Sequence, residues 1–161
     1  MDQQCRRKLS LRLSRGPRAA ASVFKKDAMP HLHIQYTANL DAACDIGKLC
    51  DTLRETLLGL QKDDGTTLYP LTGTRVLAFA AQHASVADGH PGRGYIYLNL
   101  RIMRGRTEAL KKMTGEALLA SASAFLDPVF GRQGVGLTVH VDEAIDAYEG
   151  KRNNLAAHLQ G

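Results

Sequence analysis

Several side chains in this sequence are suited to chemistry by type, and their spacing narrows the field. Arginine is the residue best matched to an organic acid, because its planar fork grips a carboxylate through two parallel hydrogen bonds and stays charged at any working pH. Arg106 lies in the run Gly105-Arg106-Thr107-Glu108, between a strand-like and a helix-like segment. Free backbone N–H groups at a helix start would add to its attraction for an anion. Arg101 falls on the polar side of the strand pattern leading there. His31 and His33 would share a strand face, as metal ligands do, but no third ligand is spaced nearby, so no metal is expected. Gly131, Gly134 and Gly136 precede a strand rather than open a helix, the wrong order for a dinucleotide loop. No serine sits in a nucleophile elbow, and no cysteine has a recognisable partner base.

The elements that must position these residues follow from periodicity. His31 to Tyr36 mostly alternates polar and apolar, as a half-buried strand does. A helix follows, with Asp45 as N-cap and Ile46, Leu49, Cys50, Leu53, Leu57 and Leu60 on one face, ending near Gly59. A second strand is expected at Arg75 to Gln82, and the turn formers from Asp88 to Gly94 make a connection. The order then repeats. Tyr95 to Ile102 is a strand and Thr107 to Leu126 a helix, capped by Thr107, with a stripe of Leu110, Met113, Ala117, Ala120 and Ala124. Pro128 is placed just past that helix, and Leu137 to Val141 alternates again as a strand. The pattern predicts an α+β chain of two tandem βαβ units, forming a four-stranded sheet with both helices on one face. The other face is left for something else to cover, and subunit association is the simplest cover.

Size and charge bound the rest. One domain fits 161 residues. The net charge of +5 is misleading as a sign of a nucleic-acid partner, because residues 1 to 28 hold eight basic and two acidic side chains, leaving 13 and 14 for the remainder. We expect no nucleic-acid and no membrane partner for the body. A basic tail could bind a polyanion or a membrane surface only through charge, and such binding would weaken steeply with salt. Residues 1 to 28 show no sustained apolar period and are read as a basic, disordered extension outside a single domain of residues 29 to 161. They lack the apolar run of a secretory signal, and Cys5, Cys44 and Cys50 read as free thiols, so the expected location is cytoplasmic.

Blocks of residues then point to a family. Met29-Pro30-His31 ahead of a strand resembles the amino end of tautomerase superfamily enzymes, which use a proline exposed by methionine removal. Tyr69-Pro70-Leu71-Thr72-Gly73-Thr74-Arg75, then Ala87-Asp88-Gly89, then Gly105-Arg106-Thr107, and Asn153-Asn154 near the end, resemble the 5-carboxymethyl-2-hydroxymuconate isomerases over about residues 29 to 159. Gly105-Arg106-Thr107-Glu108 with Lys111 is also similar to the strand-to-helix turn of 4-oxalocrotonate tautomerase, where the arginine binds substrate carboxylate. The resemblance implies an isomerase of unsaturated 2-hydroxy or 2-oxo acids from aromatic-acid breakdown, with no cofactor, a homotrimer and a small carboxylate substrate. It implies Pro30 as general base and Arg106 and Arg75 as substrate-binding groups, with Arg101 and His31 as further candidates. Where family members carry a second arginine two positions beyond the first, this chain has Leu77.

The implied chemistry sets a condition at the amino end. Moving a proton along a conjugated system needs one base with a pKa near working pH, and a chain-terminal amine starts near ~8. Burial and neighbouring guanidinium groups would lower it further. A proline within a chain has only an amide nitrogen, which is not basic. Three readings follow: translation begins at Met29, a basic leading segment is removed by proteolysis, or the extension is permanent and the protein is a non-catalytic binding or structural relative on the same scaffold.

Overall fold

The computed structural model describes residues 29–144 and 152–159. The expectations for residues 1 to 28 lie outside that range. Strands β1 (His31–Thr37), β2 (Arg75–Ala81), β3 (Gly94–Ile102) and β4 (Val135–Glu143) form one sheet in the order β2-β1-β3-β4. Helix α1 (Ile46–Gly59) connects β1 to β2, and helix α2 (Glu108–Phe130) connects β3 to β4. β1 runs parallel to β2 and β3 parallel to β4, while β1 and β3 meet antiparallel at the centre. The expected pair of βαβ units is therefore present. Short 3-10 turns at Ala38–Ala42 and Leu155–His158 complete the described elements.

The alternation read from the strands decides which face is buried. Leu32, Ile34 and Tyr36 of β1 and Ile96, Leu98, Leu100 and Ile102 of β3 pack inward against Leu49, Leu53 and Leu57 of α1 and Leu118, Ala122 and Leu126 of α2. Both helices lie on this face and touch one another through the Thr56 hydroxyl, 2.8 Å from that of Ser121. Each helix starts where its cap was expected. Asp45 accepts a hydrogen bond from the Lys48 amide, and Thr107 accepts one from the Leu110 amide.

Two expectations for α2 fail, for related reasons. The stripe of Leu110, Met113, Ala117, Ala120 and Ala124 is not the buried one: Thr114, Leu118, Ala122, Leu126 and Val129 are buried, while Ala120 and Ala124 are exposed. An alanine-rich helix is apolar on more than one side, so its period does not choose a face, and the larger Leu118 and Leu126 take the core. Thr114 tolerates burial because its hydroxyl bonds back to the Leu110 carbonyl at 2.8 Å. Pro128 lies within the helix, which runs on to Phe130. Proline removes a bond to the residue four before it, here the exposed Ala124, whose carbonyl water can serve. Burial of Val129 favours one more turn.

Leu98 is fully buried on central strand β3. Leu98→Ala is expected to lower unfolding stability by about 2–5 kcal/mol in urea titration, the range for a leucine cavity that relaxes only partly.

Candidate functional site

The antiparallel join gathers the residues singled out above at one end of the sheet. His31 pairs in register with Arg75 on one side and Arg101 on the other, so β1 starts where β2 starts and where β3 finishes. Pro30 stands just before β1 and is buried. Its carbonyl accepts the Arg75 amide at 3.1 Å, while its own lack of an N–H costs nothing at a strand's first step. β4 ends at Glu143 on this edge, and α2 begins here at Glu108.

Arg75 wraps the start of β1. Its Nη1 lies 3.0 Å from His31 Nε2, 3.9 Å from Met29 Sδ and 3.3 Å from the Gly73 carbonyl oxygen. The guanidinium thus bridges the residues on both sides of Pro30. A guanidinium only donates, so His31 Nε2 accepts and its ring proton is assigned to Nδ1.

Arg106 has a separate seat, four residues beyond the end of β3. Its Nη2 donates to the Leu68 carbonyl at 3.3 Å, and its central carbon lies 5.0 Å from the centre of the Tyr69 ring. Its Nε is buried with no hydrogen-bond partner among the described residues. Burial pushes the Tyr69 phenol pKa up, against the charge of Arg106, which pulls it down. The helix start adjoining Arg106 carries Lys111, which contacts Glu108 and lies 3.3 Å from Glu143. The hydrogen bond to Glu108, and then that to Glu143, raise the Lys111 pKa.

The segment 68–75 therefore links the two arginines, with Leu68 holding one and Gly73 the other. Arg101 shares the sheet face of His31 and Arg75 but is more exposed. It is exposed on the open face, across from His31 and Asp142 in the ladder. Leu77 and Phe79, 49% and 51% exposed, lie on that same face. The chemistry available at this end of the sheet is recognition of an anion by an arginine, Arg75 next to the buried Pro30 or Arg106 at the approach to α2. Among the described residues no group of three or more histidine, cysteine or acidic side chains could hold a metal ion. None of the described helices is long and apolar enough to cross a membrane.

Reasoning from the sequence missed the seat of Arg106. Nothing in spacing pairs Tyr69 with Arg106, because the packing of α2 over the 68–75 segment brings them together. The Ala87-Asp88-Gly89 block proves remote from Pro30. It lies after β2 and before β3, at the opposite end of the sheet, with Ala87 at φ 52° and Asp88 accepting from Arg93 Nη2 at 3.0 Å, Arg93 Nε at 3.2 Å and the His90 amide at 3.2 Å. These hydrogen bonds, those from Arg93 foremost, hold the Asp88 carboxyl below the usual range.

Comparison with known proteins bears on the family and the fold. A family model described as 5-carboxymethyl-2-hydroxymuconate isomerase matches residues 30–159. A crystal structure of a 5-carboxymethyl-2-hydroxymuconate delta-isomerase is 40% identical and superposes with a TM-score of 0.78, covering 84% of this chain and 95% of that one. A 5-carboxymethyl-2-hydroxymuconate isomerase from Deinococcus radiodurans R1 is 32% identical with a TM-score of 0.71, over 84% and 97% of the two chains. The 5-carboxymethyl-2-hydroxymuconate Delta-isomerase of Escherichia coli is 22% identical over 129 residues, 80% of this chain and 98% of that one.

Asp88→Ala should speed hydrogen exchange at the His90 amide while leaving that of Leu98 unchanged, read by two-dimensional NMR. In the unmodified protein the same local protection is present above the ordinary carboxylate pKa and is lost as pH falls through the depressed value of Asp88.

Proposed function

Since this chain belongs to the 5-carboxymethyl-2-hydroxymuconate isomerase family of the tautomerase superfamily, we propose that it moves a double bond in 5-carboxymethyl-2-hydroxymuconate or a related unsaturated 2-hydroxy or 2-oxo acid, in aromatic-acid breakdown. The ring nitrogen of Pro30 is the general base. It takes the proton from the 2-hydroxyl as the 2-oxo group forms and returns it to a carbon along the conjugated chain. No cofactor is required for such a transfer.

The observation that carries this reading is the burial of Pro30 with the Arg75 guanidinium held 3.0 Å from the adjoining His31 ring. Both features disfavour a charged ammonium and leave a free amine able to accept a proton. Arg106 supplies the carboxylate grip, and its buried, unpaired Nε is a donor that an incoming oxygen satisfies. Arg75 adds positive charge as the dienolate develops, and His31 lines the same corner. Arg101, directly across the ladder from His31 and exposed, is a further contributor.

The base exists only if Pro30 is the first residue, so the working chain starts there. The family match beginning at residue 30 supports this. The working unit is a homotrimer whose subunits cover the open sheet face, where Leu77 and Phe79 are half exposed. The site of action is the cytoplasm.

The test is a version starting at Met29, with methionine removal confirmed by mass spectrometry and ketonisation of 2-hydroxymuconate followed by ultraviolet absorbance. Pro30→Ala should lose about 100-fold or more in kcat with the fold intact, the size of a general-base contribution. Arg106→Ala should raise KM and lower kcat, since the carboxylate is both bound and drawn on as charge develops. Unchanged kinetics in both variants, or full activity from a chain that keeps its first 29 residues, would refute the mechanism. Phe79→Asp should convert the trimer to smaller species in sedimentation velocity.

A further inference from the structure

Arg106 has a more specific seat than solvation of a surface arginine requires. Beneath it Tyr69 is 1% exposed, and its hydroxyl lies 3.1 Å from the Thr114 hydroxyl. Thr114, itself fully buried, donates its single proton to the Leu110 carbonyl at 2.8 Å, so Tyr69 must be the donor in the pair they form. A continuous tie thus runs from the α2 backbone through Thr114 to the tyrosine ring, and both buried hydroxyls are satisfied by it. The ring in turn lies 5.0 Å under the Arg106 guanidinium, while the neighbouring Leu68 carbonyl holds Nη2 at 3.3 Å. Two contacts from adjacent residues, a ring against the central carbon and a carbonyl on Nη2, restrict the guanidinium. What they leave unpaired is Nε.

We propose that Tyr69, anchored by Thr114, is the positioning residue for Arg106: its ring, together with the Leu68 carbonyl, holds the guanidinium in the place where it meets a substrate carboxylate. This rests on the reading of Arg106 as the carboxylate grip. Tyr69 touches no substrate and acts through the arginine alone. Its value is pre-organisation, because a fork already held in place loses less freedom when the carboxylate arrives. A cation over a desolvated aromatic face adds an attraction that an aliphatic side chain of similar size does not supply.

The experiment compares Tyr69→Leu, Tyr69→Phe and Arg106→Ala in the version starting at Met29, which keeps every core residue among the described ones, with 2-hydroxymuconate as substrate. A purely structural role for Tyr69 would reduce the folded fraction, which lowers apparent kcat and leaves KM untouched. Positioning predicts the other split. Tyr69→Leu should raise KM about tenfold with a smaller change in kcat, and Tyr69→Phe, which keeps the ring, should restore KM to within about threefold. Should leucine prevent folding, Tyr69→Met fills the same space without a ring, and the same criteria apply. An unchanged KM in the ringless variant, alongside a raised KM in Arg106→Ala, overturns the proposal while sparing the role of Arg106. An unchanged KM in Arg106→Ala removes the carboxylate grip and the proposal with it.

Discussion

The antiparallel ladder between β1 and β3 sets His31 opposite Arg101, and the geometry of the corner follows from that pairing. Each βαβ unit alone has its two parallel strands starting at one end and its helix returning between them. Joining the units antiparallel turns one of them end for end. The first residues of β1 and β2 then meet the last residues of β3 and β4 and the first turn of α2. A one-residue slip in this register would exchange the buried and open faces of the sheet, so burial of Leu32, Ile34, Leu98 and Leu100 enforces it. The hydrophobic core and the corner at Pro30 are therefore consequences of the same pairing.

Within that corner the two arginines are held by different means. Arg75 is part of a strand, so its backbone is fixed by the ladder and its side chain leans across the start of β1. Arg106 belongs to a connection, where a side chain would ordinarily be mobile. Its order comes from the buried Tyr69 and from the carbonyl beside it. The polar pair in the core, Tyr69 with Thr114, is thus placed directly below the group it steadies. An isomerase that moves one proton within a small acid needs little else: a base, a charged grip and exclusion of water.

The opposite end of the sheet shows how the same kinds of residue serve only structure. Asp88 and Arg93 close the connection between β2 and β3, and Asn39 Nδ2 reaches the Pro91 and Arg93 carbonyls at 3.1 and 2.9 Å. Close packing also sets Gly94, where an added Cβ would come within 2.8 Å of Leu40.

Much of the architecture was legible in the chain because it is written in short-range patterns. Alternation gave the strands their faces, Asp45 and Thr107 announced the helix starts, and Leu49, Leu53 and Leu57 named the buried side of α1. The choice of Pro30, Arg75 and Arg106 came from blocks of family resemblance, since an isolated proline or arginine carries no such information. Other features depended on contacts between residues far apart in the chain. The buried face of α2 was settled by which side chains fill the space over β3 and β4, and the last turn through Pro128 by the pull of Val129 on the core. The seat of Arg106 joins positions 38 residues apart through Leu68, and Tyr69 to Thr114 across 45. Sequence alone determined where each element begins and which strand faces can be buried, because those follow from neighbours along the chain. Only tertiary packing decided which polar groups meet, because a hydrogen bond depends on distance in space.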